Sequence, residues 1–177
     1  GIRDYYASRG LGDVYKRQLL VIACDMGKTV AACLLGSFFF RCLGWDGTLG
    51  TLLAGLGCEL GHIFPVFYGF RGGKGILSGG TLVLLLNWRL AAVAWALFLL
   101  LWLTTRYVSL ASITATCSAP ITVYFVYAHN PIYTGLCLAV AALALWCHRK
   151  NIQRLLHGTE KKFKWHVNPT EGKEPPK

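Results

Sequence analysis

A histidine, a proline and a glycine-rich basic turn follow one another at 61–75, GHIFPVFYGFRGGKG. Glycines let a backbone take positive φ and approach a ligand closely, and consecutive N–H groups in such a turn form an anion-binding concavity. Arg71 and Lys74 set positive charges beside it. The chemistry suggested is capture of a phosphate-sized anion. The turn is not that of a nucleoside triphosphatase: GFRGGKG lacks four residues between its glycine and a GK[ST] end, and Ile76 stands where Ser or Thr would hold magnesium. Taken alone, His62 and Pro65 also read as a buried, hydrogen-bonded imidazole and a helix end.

Three further polar groups interrupt apolar sequence. Asp25 and Lys28 in CDMGK lie three residues apart, so a helix puts both on one face. They read either as a neutralised interfacial pair with Lys28 snorkelling, or as support for a polar site. In RYVSLAS, the spacing of Arg106, Ser109 and Ser112 predicts one helical side at the start of a span. That is an N-cap serine with an interfacial arginine, or an anion site at a helix N-terminus. In HRKNIQRLLHGTEKKF, His148, Asn151 and Arg154 recur every third residue before a break at Gly158-Thr159-Glu160. A basic amphipathic tail would explain that charge, but the stripe is mixed rather than uniformly basic, which suits directed hydrogen bonding.

The elements that must position these groups are membrane helices. Of 177 residues, 54% are hydrophobic and 15% charged, against about 25% charged in soluble domains. Continuous Leu/Ala runs such as LAAVAWALFLLLWL exclude a barrel, whose strands alternate apolar and polar residues. The fold expected is an all-α polytopic membrane protein with about six transmembrane or half-spanning helices, at 19–40, 49–67, 76–86, 90–104, 110–127 and 132–147. The stretch 76–86 is too short to cross alone and adjoins the glycine-rich turn. Residues 1–18 are polar and mixed in charge, and are expected to be disordered or non-native. The membrane domain is placed at 19–163 and a polar tail at 164–177.

Basic residues at the 69–75 turn, at Arg106 and in the tail, against Arg41 and Arg89 on the opposite joints, support placing the turn on the cytoplasmic side of the membrane. The net charge of +10 is read as topology and attraction to anionic lipid, not as nucleic-acid binding. Seven cysteines stand singly in apolar runs, which suits packing rather than zinc or disulfides. No metal site is expected, because Asp25, Glu59 and Glu160 lie on different segments. Glu59 has no role in this reading.

With Asp25 and Lys28 in the preceding span, GHIFPVFYGFRGGKG, RYVSLAS and HRKNIQRLLHGTEKKF in that order resemble the bacterial acyl-phosphate:glycerol-3-phosphate acyltransferase family, PlsY, over residues 19–163. The resemblance implies an integral membrane enzyme that moves a fatty acyl group from acyl phosphate to glycerol 3-phosphate, giving lysophosphatidic acid and phosphate. Neither coenzyme A nor acyl carrier protein is then the direct donor, no cofactor is needed, and the protein is a monomer among membrane lipids. It further implies that Gly72, Gly73, Lys74 and Gly75 form the phosphate loop of glycerol 3-phosphate, with Arg154 and Ser112 also on phosphate. His148, Asn151, Glu160 and Ser109 are the catalytic set, with His62, Asp25, Lys28 and Arg106 in support.

The HX4D pair of the unrelated glycerolipid acyltransferases is absent, since Phe67, Thr134 and Gln153 fall fifth after His62, His129 and His148. Two departures from the family stand out. Its first motif, approximately SGNxGATN followed by an arginine, is not reproduced in 1–18, so one helix and one wall of the site are expected to be missing. CDMGK also differs from the usual DxxKG. Two other readings stay open: a small transporter or lipid-binding protein with a substrate site between broken helices, or an inactive family member.

Overall fold

The computed structural model describes residues 2–163, with side chains from 16 onward. The tail at 164–177 lies outside the described residues. The described chain is helical: α1 (Ile2–Cys42), α2 (Gly47–Ile63), a 3-10 turn (Val66–Tyr68), α3 (Ile76–Leu86), α4 (Trp88–Thr105), α5 (Val108–Val126), α6 (Pro131–Cys147) and α7 (Arg149–Leu156). Four stretches are long and apolar enough to cross a membrane: Lys16–Cys42, Gly47–Tyr68, Trp88–Thr105 and Val108–Val126. α6 and α7 make a fifth only if this pair, bent by 61°, is counted as one broken span, and α3 is the short apolar helix.

Local chemistry sets the boundaries. Asp46 caps α2 by accepting from the Thr48 amide at 2.8 Å. Asn87 accepts from the Arg89 amide at 2.9 Å at the head of α4. Asn130 accepts from the Ile132 and Tyr133 amides at 3.0 and 3.3 Å, with Pro131 in the first turn where its missing N–H costs nothing. The expected spans at 90–104, 110–127 and 132–147 fall within two residues of α4, α5 and α6, and 76–86 is α3.

Two expectations differ from the structure. The helix of the first span does not begin at Leu19 but runs through 2–18 as part of α1. The segment contains no proline, and extending an existing helix fixes one residue per hydrogen bond gained, which is far cheaper than starting one. The helix of the second span ends at Ile63, because Pro65 cannot continue it, and the apolar stretch runs on through the Val66–Tyr68 turn.

Packing brings the short helix into the middle. Leu52 of α2, Val83 of α3, Leu90 and Ala94 of α4, Val123 of α5 and Cys137 of α6 form one buried cluster. Tyr127 Oη donates to the Leu86 carbonyl at 2.9 Å, tying the end of α3 to α5. α1 and α2 meet where Gly36 faces Gly50: a Cβ on Gly36 would stand 2.5 Å from the Gly50 carbonyl oxygen, so only the bare backbone permits this approach. The result is a bundle whose α2–α3, α4–α5 and α6–α7 joints gather at one end.

Candidate active site

The turn between α2 and α3 is built on the last turn of α2. The Gly72 amide donates to the Ile63 carbonyl at 3.1 Å and the Gly73 amide to the His62 carbonyl at 3.2 Å. These two N–H groups are therefore occupied, which corrects the expectation that they line an anion concavity. Their glycines are required for contact instead: a Cβ on Gly73 would stand 2.1 Å from His62 Nε2. Gly75 then takes φ +76° as the N-cap of α3, a left-handed conformation glycine adopts without strain. The donors left for an anion are the first-turn amides of α3 and the exposed Lys74 ammonium beside them.

Lys74 does not stand alone. Its Nζ donates to Asn151 Oδ1 at 2.8 Å, which leaves two further N–H bonds on the ammonium. Asn151 Nδ2 donates to Ser109 Oγ at 2.7 Å and to Glu160 Oε1 at 2.9 Å. Ser109 Oγ also donates to Glu160 Oε1, and Arg154 Nε donates to Glu160 Oε2 at 2.6 Å. One network thus joins the glycine turn, the first turn of α5, α7 and the chain beyond it. Asn151 is buried, while Arg154 is half exposed.

The 158–163 segment closes the network by folding back over the α4–α5 joint. Gly158 turns the chain at φ +67°, and the Phe163 amide donates to the Arg106 carbonyl at 2.8 Å. The Phe163 ring packs edge-on against Trp102 at 5.4 Å between centroids, and Lys162 Nζ lies 5.4 Å from the Tyr107 ring centre. Glu160 is held as a carboxylate: desolvation acts upward, but hydrogen bonds from Ser109, Arg154 and Asn151 and the Arg154 charge together outweigh it and bring its pKa down to about 2.

His148 sits at the bend between α6 and α7, 2% exposed, with Nδ1 2.8 Å from the Ala144 carbonyl. A carbonyl only accepts, so Nδ1 carries the hydrogen and Nε2 is the acceptor of the neutral ring. A second cluster braces the turn from α1. Lys28 Nζ lies 2.6 Å from Asp25 Oδ1 and 2.7 Å from His62 Nδ1, and the same His62 packs its ring on Gly73. Asp25, Lys28 and His62 thus meet across two helices.

Arg106, Ser109 and Ser112 do not form the expected stripe. α5 begins at Val108, and Arg106 is the left-handed C-cap of α4 at φ +61°, outside the helix. The two serines also part company. Ser109 is in the network, whereas Ser112 is buried one turn deeper and lines an apolar cavity of about 270 Å³. That cavity is walled by all helices from α2 to α6, and includes Trp95, Phe98 and Ala144. One residue of its wall, Glu59, has no role predicted from the sequence. A lone acidic residue in the span 49–67 was the available signal.

Comparison with known proteins bears on the family and the fold. The family model described as glycerol-3-phosphate acyltransferase matches residues 10–158. A glycerol-3-phosphate acyltransferase of Finegoldia magna is 37% identical over 146 residues, covering 82% of this chain and 70% of the relative. One of Aquifex aeolicus is 36% identical over 157 residues, covering 88% of this chain and 78% of the relative. Among solved structures, the glycerol 3-phosphate form of PlsY (YgiH), an integral membrane glycerol 3-phosphate acyltransferase, superposes with a TM-score of 0.73 at 34% identity, covering 89% of this chain and 75% of that one. Its lysophosphatidic acid form gives 0.75 at 35% identity, covering 89% and 76%. The family match begins at residue 10, nine residues before the expected boundary at Leu19. This multi-pass membrane chain belongs to the glycerol-3-phosphate acyltransferase family.

Proposed function

We propose that this chain acylates glycerol 3-phosphate with acyl phosphate as donor, by direct transfer at the end of the bundle where the three joints meet. The observation that carries the reading is the Lys74–Asn151–Ser109–Glu160–Arg154 network, which sets two cations and a buried amide around one polar surface directly beside an apolar cavity. Both substrates are phosphorylated and one has an acyl tail, so such a surface and cavity suit them together. The cytoplasmic face of a bacterial inner membrane is the side where soluble glycerol 3-phosphate would reach these groups.

Acyl phosphate is a mixed anhydride, so its phosphate leaves readily, and the protein supplies proximity and charge stabilisation. The glycerol hydroxyl oxygen attacks the acyl carbonyl carbon, forming the ester C–O bond. The carbonyl carbon–oxygen bond to phosphate then breaks, and phosphate departs with the bonding pair. The hydroxyl proton goes to a phosphate oxygen or to His148 Nε2. Glu160 is a poor base here, because a carboxyl held at about pH 2 binds a proton too weakly at neutral pH. Its role is to fix Asn151, Ser109 and Arg154. Lys74 neutralises phosphate charge through the N–H bonds not given to Asn151, and the α3 amides add fixed dipoles.

Phosphate release from acyl phosphate by the purified chain, measured with and without glycerol 3-phosphate, tests the reading. Release that depends on glycerol 3-phosphate is expected. Equal release in both arms, or none, would overturn it.

A further inference from the structure

Glu59 is 2% exposed on α2, and its Oε2 atom has no hydrogen-bond partner among the described residues. Buried polar atoms are nearly always paired, so an unpaired carboxyl oxygen points to a missing ligand. Ser78 Oγ is also unpaired, but Ser78 is not part of the cavity wall, whereas Glu59 is. The neighbours of Glu59 place it where the polar surface gives way to the cavity. A Cβ on Gly75 would stand 2.6 Å from its Oε1, so the carboxyl lies directly under the residue after Lys74. Ser112, one helical turn from Ser109, and Ala144, whose carbonyl holds His148, line the same cavity.

We propose that Glu59 is a further catalytic residue, hydrogen-bonding the acyl carbonyl oxygen of the donor; this rests on the acyltransferase reading above. A donor whose phosphate lies against the first-turn amides of α3, beside Gly75, and whose chain enters the cavity has its carbonyl at this junction. Burying a carboxylate in an apolar wall costs far more than burying the acid, and the acid has one O–H to give. That O–H donates to the carbonyl oxygen in the ground state. When the glycerol oxygen attacks, the same bond holds the developing oxyanion, and it relaxes as the carbonyl re-forms and phosphate leaves. Glu59 neither gains nor loses a proton overall.

The test compares Glu59→Leu with Glu59→Gln, whose amide N–H still donates. Loss of one oxyanion donor costs roughly 100- to 1000-fold in kcat in other acyl-transfer sites, so Glu59→Leu should fall at least about tenfold in kcat. Its half-saturating glycerol 3-phosphate concentration should stay within about twofold, and Glu59→Gln should keep most of the rate. A Leu variant with wild-type kcat, or a Gln variant as impaired as Leu, would overturn the proposal. A second measurement needs no variant: a non-hydrolysable acyl phosphonate with a 13C-labelled carbonyl, bound to the wild-type chain, should show its carbonyl stretch lowered relative to the same compound in apolar solvent. An unshifted band would also overturn it. A wild-type chain without glycerol-3-phosphate-dependent phosphate release would instead sink the acyltransferase reading itself.

Discussion

Replacing Glu160 with glutamine tests whether the network positions substrate or moves protons. Glu160 Oε1 accepts from Asn151 Nδ2 at 2.9 Å and from Ser109 Oγ, while Oε2 accepts from Arg154 Nε at 2.6 Å. A glutamine has one acceptor oxygen and one NH2, so it satisfies one side and turns a donor towards the other. With the amide oxygen facing Ser109 and Asn151, the NH2 opposes Arg154 and the charge-assisted bond is lost. In the flipped orientation Asn151 is freed, and with it the anchor of Lys74. Hydrogen bonds to charged groups contribute about 1.5–3 kcal/mol. Because the Arg154 side chain is 45% exposed, solvent screening reduces this to about 1 kcal/mol. That corresponds to a loss of roughly five- to tenfold in kcat/KM for glycerol 3-phosphate, read from phosphate release at saturating acyl phosphate and pH 7. An unchanged kcat/KM would refute the positioning role. A loss beyond about 1000-fold would refute it too, because only direct participation in chemistry costs that much.

The same carboxyl sets an acid dependence. Its folded pKa is depressed, so its contribution to stability is complete above the ordinary glutamate value of about 4.3. That contribution is lost as pH falls through the folded value of about 2. Thermal unfolding of the wild-type chain in detergent should therefore weaken between about pH 4.5 and 2 by a component missing from Glu160→Gln; superimposable profiles would contradict the assignment. Lys74→Ala should raise the half-saturating glycerol 3-phosphate concentration about tenfold or more, because a phosphate loses a direct cation, and an unchanged value would remove Lys74 from the phosphate site. Gly73→Ala should abolish most activity while Gly57→Ala does not: the first places a Cβ 2.1 Å from His62 Nε2, and the second meets nothing within 4 Å. Comparable rates in the two variants would show that the turn tolerates displacement. Ser109→Ala should lower kcat/KM more than Ser112→Ala, since only Ser109 bonds Asn151 and Glu160, and the reverse order would place the deeper serine on substrate.

The spans were legible because continuous Leu/Ala runs and Asp, Asn and Pro punctuation act locally. α3 was read at its observed bounds because Gly75 and Asn87 mark both ends. The helix through 2–18 was not legible, since it inherits its start from the apolar run that follows rather than from periodicity of its own. At the site, spacing alone brought out His148, Asn151 and Arg154, but not what they face. Glu160 is joined to Ser109 across 51 residues of sequence, and Lys74 to Asn151 across 77. Such pairings depend on how helices pack. The same limit explains Gly72 and Gly73, whose amides are taken by carbonyls at the end of α2. It explains Arg106 as well: the positive φ that removes it from α5 is a property of the α4–α5 joint.

The proposed reaction joins an acyl group from acyl phosphate to glycerol 3-phosphate. Mass spectrometry of products from the purified chain, given glycerol 3-phosphate with acyl phosphate, acyl-coenzyme A or acyl carrier protein thioester in parallel, tests it most directly. Lysophosphatidic acid and an equal amount of phosphate should form with acyl phosphate alone. Lysophosphatidic acid formed from a thioester donor, or none from acyl phosphate, would contradict it.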